Sequence, residues 1–223
     1  MVIYLDGADL ITMREMGSQV TGFTTNPSLL RWAGITIQYQ KFVTEALKVA
    51  DNKPISFEVF ADDISQMESQ ARTLARMADN IYVKIPITNT KGESTAYLCR
   101  KLNAEGIKLN VTAVFTFDQI TTACKSLFND SIVSILCGRI ADTGVDPIPF
   151  ITKACMVKSS NTKILWASAR EVFNVKQAQA AGADIITLNP DILRKMKYLG
   201  KDLTEFSLET VKQFYNDGQG IEF

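Results

Sequence analysis

No histidine occurs among the 223 residues. That absence excludes Ser-His-Asp and Cys-His nucleophilic systems and histidine-ligated metals, leaving carboxylates, lysine, tyrosine, hydroxyls and water for acid–base work. Cysteine is sparse as well. Cys99, Cys124, Cys137 and Cys155 are widely spaced and form no Cys-x-x-Cys pair, so they read as buried thiols in a reducing cytosol rather than as disulfides or zinc ligands. Net charge is also missing, with Lys+Arg and Asp+Glu at 24 each. No global field recruits nucleic acid or an anionic membrane, and any anion site must be local. No apolar run reaches transmembrane length. The apolar start, Met1 to Leu5, is cut off by Asp6 and has no basic flank, which argues against a secretory signal and for a cytoplasmic protein. Neither a metal nor an organic cofactor is expected.

With 46% hydrophobic residues, the chain can bury a full core as one large domain or two small ones. Short β-branched runs alternate with helical patterns from end to end. Strands are expected at Val2 to Asp6, Val20 to Thr24, Ile55 to Val59, Ile81 to Ile85, Lys108 to Ala113, Ile132 to Leu136, Lys163 to Ala167 and Asp184 to Leu188. Between them lie helical stretches: Ala8 to Met16, Pro27 to Trp32 with Ile37 to Val49, Ile64 to Met77, Glu93 to Ala104, Phe117 to Leu127, Pro147 to Lys158, Val172 to Ala180 and Ile192 to Met196. Eight such units predict an α/β fold, a single (β/α)8 TIM barrel over 1–202, with an open doubly wound sheet as the alternative. An extra helix, Leu203 to Asn216, and a tail ending in Ile221 and Phe223 make up 203–223.

One residue inside an apolar strand stands out: Lys84 in Asn80-Ile81-Tyr82-Val83-Lys84-Ile85-Pro86. An ammonium is almost never buried without a partner, because leaving water penalises the charged form and drives its pKa down. A neutral lysine is a nucleophile whose natural electrophile is a carbonyl, and the resulting Schiff base is an electron sink for carbon–carbon chemistry. The alternative is a strand-end lysine snorkelling to solvent. Barrels of this class work at the C-terminal ends of their strands. There the sequence puts Asp6, then Thr24-Thr25-Asn26, Glu58, Lys84, Thr112, Ser134 with Arg139 beyond it, and Ser168 with Arg170. Each alone reads as readily as a turn residue or helix cap. Polar groups from seven successive strands make a site the better reading.

These residues carry a family likeness over nearly the whole chain. Tyr4-Leu5-Asp6, Thr24-Thr25-Asn26-Pro27-Ser28, Val83-Lys84-Ile85-Pro86, Asn110-Val111-Thr112-Ala113-Val114-Phe115, Gly138-Arg139-Ile140 and Ala167-Ser168-Ala169-Arg170 resemble the short, single-barrel transaldolases, a subfamily that includes fructose-6-phosphate aldolases. The resemblance implies that Lys84 forms the Schiff base with a ketose phosphate, fructose 6-phosphate or sedoheptulose 7-phosphate, in the pentose phosphate pathway. By the same likeness Asp6 shuttles a proton at the substrate hydroxyl, and Glu58 with Thr112 holds a catalytic water. Thr24 falls within the substrate-binding segment, Asn26 and Ser134 bind the dihydroxyacetone hydroxyls, and Arg139, Ser168 and Arg170 form the phosphate site. Guanidinium forks suit that last task, since they grip phosphate oxygens bidentately.

Glu58 replaces the glutamine found in fructose-6-phosphate aldolases, and Leu136 stands where those enzymes carry tyrosine and transaldolases usually phenylalanine. Transfer of dihydroxyacetone to an aldose phosphate is therefore expected over release of free dihydroxyacetone. A non-catalytic sugar-phosphate-binding barrel and a deoxyribose-phosphate type of Schiff-base aldolase are the other readings. The Thr-Thr-Asn-Pro-Ser segment argues against the latter. Similar short transaldolases form homodecamers of two pentameric rings. Phe206, Leu208, Val211, Phe214 and Tyr215 give the last helix an apolar surface suited to a neighbouring subunit, or else to its own barrel.

Overall fold

The computed structural model describes residues 1–35 and 38–222. Its centre is a closed barrel of eight parallel strands in chain order: β1 (Val2–Asp6), β2 (Gly22–Thr24), β3 (Ile55–Glu58), β4 (Ile81–Pro86), β5 (Leu109–Val114), β6 (Ser131–Ile135), β7 (Thr162–Trp166) and β8 (Ile185–Leu188). Around it run α1 (Leu10–Met16), α2 (Pro27–Trp32), α3 (Tyr39–Ala50), α4 (Ile64–Ala75), α5 (Ala96–Ala104), α6 (Phe117–Ser126), α7 (Cys137–Ala141), α8 (Ile148–Val157), α9 (Phe173–Ala181) and α10 (Pro190–Lys195). The TIM barrel expected from the periodicity is the observed fold.

Helix ends follow the local chemistry. Asp9, Asn26, Asp63 and Asn189 cap α1, α2, α4 and α10 by accepting a backbone N–H through a side-chain oxygen, satisfying donors the first turn leaves free. Gly182 ends α9 at φ 87°, a left-handed conformation that favours glycine.

Several boundaries differ from the sequence reading. β2 begins at Gly22 rather than Val20, because residues 17–19 form a 3-10 turn. α5 begins at Ala96 rather than Glu93, since the Asn89 carboxamide turns residues 89–93 into a loop by accepting from the Lys91 and Glu93 amides. The expected start at Ile37 lies outside the described residues, and α3 begins at Tyr39. α7 was not expected at all: five residues are too few for helical periodicity to register. Of the four cysteines, Cys155 is only partly buried.

Inside the barrel, side chains alternate along each strand up to the register shift in β5. Val83 and Ile85 pack in the layer between barrel and helices, while Tyr82 and Lys84 face inward. Tyr4, Tyr82, Ile132, Leu165, Ala167 and Ile185 pack as one interior cluster that plugs the lower barrel. Gly22 belongs to this plug, because a Cβ there would stand 2.5 Å from the Tyr4 ring. Below, Tyr82 donates to Asp130 at 2.8 Å, and Lys108 and Lys163 lie 3.9 and 3.3 Å from the same carboxylate.

Beyond the barrel, α11 (Leu203–Asp217) is capped by Asp202 and has no buried residue. Phe206 stacks on Tyr198 at 5.3 Å, but Leu208, Val211, Phe214 and Tyr215 are exposed. Phe223 lies outside the described residues.

Candidate active site

The plug borders a cavity of ≈ 80 Å3 at the C-terminal mouth, and its Leu165 and Ala167 form part of the cavity wall. Of the residues singled out in the sequence, Asp6, Thr24, Asn26, Lys84, Thr112, Ser134, Arg139 and Ser168 line it, together with Leu136 and Thr187. It opens onto a vestibule of ≈ 490 Å3 shared with Arg170 and Asp142. Glu58 reaches the cavity's lysine from the neighbouring strand, where it is paired in register with Lys84.

Lys84 is buried, and it is not unpartnered. Its Nζ donates to the Thr25 carbonyl at 2.8 Å and lies 3.1 Å from the Glu58 carboxylate. This corrects the sequence argument, which started from a buried amine without a counter-ion. It also removes the snorkelling alternative, because the amine points into the barrel. Glu58 is held in turn: the Tyr39 phenol donates to its carbonyl at 3.0 Å, pinning the end of β3. Burial, followed by the charge of Glu58, pushes the Tyr39 phenol well above its usual range.

Asp6 shows the opposite balance. Enclosure by the barrel walls pushes its carboxyl above the usual carboxylate range, with Glu58 adding to the effect, while Lys84 and the Thr24 hydroxyl pull against it. Thr24 Oγ1 donates to Asp6 Oδ1 at 2.7 Å and sits 2.6 Å from Thr187 Oγ1. A threonine hydroxyl has one proton, and here it is committed to the carboxylate. Thr187 must therefore donate to Thr24, giving a relay from β8 through β2 to β1.

The same accounting fixes two further groups. Asn26 Oδ1 is taken by the Leu29 N–H at 2.9 Å, so the amide presents its NH2 donors to the cavity. Asn26 is thus a helix cap and a cavity residue at once. Ser134 Oγ donates to Asn110 Oδ1 at 2.6 Å, and Asn110 Nδ2 donates to Ser56 Oγ at 3.0 Å. Ser134 therefore meets a ligand as an acceptor.

The two arginines differ. Arg170 reaches Asp142 at 2.5 Å, whereas Arg139 makes no ion pair among the described residues. Ser168 sits between them in a left-handed conformation, φ 61°, which is costly for a residue with a side chain. Gly138 permits this arrangement: a Cβ there would fall 1.6 Å from the Ser168 carbonyl oxygen. Ala113, directly after Thr112, is also left-handed at φ 57°, where the β5–β6 register shifts. Strain of this kind clusters where a side chain must be re-aimed.

Leu136, expected on the sixth strand, lies just past it as the residue before α7, still lining the cavity. Sequence reasoning missed Thr187, Asn110 and Tyr39. The first two stand at inward positions of β8 and β5, where the period-two pattern could have found them. Tyr39 carries no such signal.

Comparison with known proteins gives this geometry a context. The family model described as Transaldolase/Fructose-6-phosphate aldolase matches residues 3–223. A probable transaldolase of Brucella ovis is 34% identical, with 94% of each chain covered. One from Bartonella tribocorum is 34% identical over 99% of this chain and all of its own length. Among solved structures, the tryptophan synthase α-subunit of Pyrococcus furiosus superposes with a TM-score of 0.63 at 11% identity, covering 92% of this chain and 93% of its own. The 3-hexulose-6-phosphate synthase of Salmonella typhimurium superposes at 0.62 and 14% identity, covering 87% and 96%. The structural likenesses speak to the barrel alone; on the family model's match and the sequence relatives, the chain belongs to the transaldolase/fructose-6-phosphate aldolase family.

Proposed function

We propose that the protein is a transaldolase that moves a dihydroxyacetone unit from a ketose phosphate to an aldose phosphate through a Schiff base on Lys84. The observation that carries this reading is a buried lysine 3.1 Å from one carboxylate, sharing a small cavity with a second whose proton affinity is raised. Nζ attacks the ketose carbonyl, and water leaves to give the imine, with Glu58 and Thr112 holding the water that carries protons to and from nitrogen. Asp6 then takes the proton of the hydroxyl on the carbon beyond the breaking bond. The bond's electron pair moves into the imine, giving an enamine and a free aldose phosphate.

An acceptor aldehyde reverses these steps, with Asp6 returning the proton to the new alkoxide. Asn26 as donor and Ser134 as acceptor complement the hydroxyls of the dihydroxyacetone unit. Arg139, Ser168 and Arg170 take the phosphate. A carboxyl whose proton affinity is raised by enclosure can both take and return a proton, which the two directions of the reaction require.

Leu136 favours transfer over release, since it gives the cavity no hydroxyl with which to handle free dihydroxyacetone. The four unpaired thiols fit a cytoplasmic setting. The exposed apolar surface of α11 fits docking on another subunit in a ring assembly, two pentamers forming a decamer. A coupled assay with fructose 6-phosphate, with and without erythrose 4-phosphate, tests the activity. Turnover that requires the acceptor supports transfer. Equal release of free dihydroxyacetone without it makes the protein an aldolase, and no turnover in either case leaves a binding barrel.

A further inference from the structure

The vestibule outside the cavity has two unlike walls. One is built from α7 and the loop after β7, and carries Arg139, Asp142 and Arg170. The other is the end of α2, and carries Leu29 and Trp32. β2 and β6 stand four strands apart in a closed ring of eight, so the elements that follow them face each other across the mouth. Trp32 is 76% exposed. The fold does not use its indole: α2 is anchored by its buried Leu30 and partly buried Leu29, and its start is fixed by the Asn26 cap. A large exposed aromatic on the wall of a ligand cavity has its main use against a ligand.

We propose that Trp32 is the specificity wall for the acceptor. Its indole packs on the C–H edge of the aldose phosphate chain while the phosphate lies opposite on the two arginines. A charged wall alone fixes one end of the acceptor and leaves the rest of the chain free to swing. An apolar surface across from it orients the aldehyde toward the enamine and favours chains long enough to span the gap. The inference rests on the sugar-phosphate reading of the site.

The chain has two tryptophans, and Trp166 is 1% exposed, which makes the test direct. Lys84→Ala protein, unable to turn over, is titrated with erythrose 4-phosphate while indole emission is followed. A saturable change is expected, and it should vanish in Lys84→Ala/Trp32→Phe, where only Trp166 emits. In otherwise intact enzyme, Trp32→Ala should lower kcat/KM for aldose phosphate acceptors about fivefold to tenfold, mostly through KM. Trp32→Phe should keep most of it. Borohydride trapping of free dihydroxyacetone on Lys84, which involves no acceptor, should be unchanged in both.

An unchanged kcat/KM, an equal loss in trapping, or a change in molecular mass by light scattering would overturn the inference, the last by making Trp32 a subunit contact. If wild-type protein traps no adduct yet the Trp32-dependent emission change persists, the transaldolase reading and the acceptor role fail together and Trp32 is a sugar-phosphate contact only. If the adduct forms and emission does not respond, the wall alone fails.

Discussion

On β1, β4, β6 and β8 the inward residues of the barrel plug are Tyr4, Tyr82, Ile132 and Ile185; two positions further along the same strands they are Asp6, Lys84, Ser134 and Thr187. One step of the strand period turns an aromatic and aliphatic floor into a polar mouth. The floor is close-packed, and its polar tips meet the charges of Asp130, Lys108 and Lys163 at the N-terminal end. Burial with the Asp130 charge pushes the Tyr4 phenol up to about 12, so the floor stays neutral across any physiological pH. The mouth holds a buried amine paired with the Glu58 carboxylate, a second carboxyl, Asp6, whose ionised form the protein disfavours, and two left-handed non-glycine residues. Stability is concentrated at one end of the barrel and reactivity at the other, which is the division expected of this fold.

Substitutions sharpen that contrast if floor changes cost stability and mouth changes cost turnover. The largest effect belongs to Lys84. Lys84→Ala and Lys84→Arg should each lower kcat by roughly 10³ or more in the coupled assay, because a methyl has no nucleophile and a guanidinium stays protonated. Circular dichroism should still report a folded barrel. Appreciable turnover in either variant contradicts the mechanism. Arg139→Ala and Arg170→Ala come next, lowering kcat/KM for phosphorylated sugars by roughly 10² if each supplies charge-assisted bonds of about 1.5–3 kcal/mol. Non-phosphorylated acceptors should change far less, and equal losses on both kinds of sugar remove these residues from phosphate binding.

Gly22→Ala probes the floor. Its Cβ would collide with the Tyr4 ring, so thermal unfolding should register a loss of about 1–3 kcal/mol while KM on the folded fraction holds. Asp6→Asn probes the mouth from the other side. Because the native carboxyl titrates above the unfolded one, wild-type protein loses stability as pH rises through that window and carries the full penalty above it. Asp6→Asn should therefore be inactive yet melt higher than wild type at neutral pH, with the difference closing as pH falls toward the usual aspartate range. A lower melting temperature at neutral pH would show that Lys84 and Thr24 outweigh enclosure. The smallest effect is expected from Thr24→Val, which removes a donor to the carboxylate. The acid limb of the kcat/KM profile should shift to higher pH, and a shift to lower pH breaks the relay drawn from Thr187 to Asp6.

The sequence carried more of the barrel than of the site's wiring. Strand alternation is local, so β1 to β8 were readable within a residue or two, and polar residues at strand ends pointed to the mouth. What was hidden is what closure brings together. Arg170 and Asp142 are 28 positions apart, and Thr24 and Thr187 are 163 apart. No periodicity announces either pair. Thr187 and Asn110 passed as ordinary strand residues, since a threonine among isoleucines is also a good β-former. Lys84 and Glu58 were both legible as strand-end polar residues, whereas their pairing is visible only once β3 and β4 are in register.

The proposed mechanism requires a covalent bond between Lys84 and substrate. Protein incubated with fructose 6-phosphate and reduced with borohydride, then digested and examined by mass spectrometry, should carry a reduced dihydroxyacetone adduct on the Lys84 peptide and on no other lysine. An unmodified Lys84 peptide under conditions of turnover, or an adduct placed elsewhere, would contradict it.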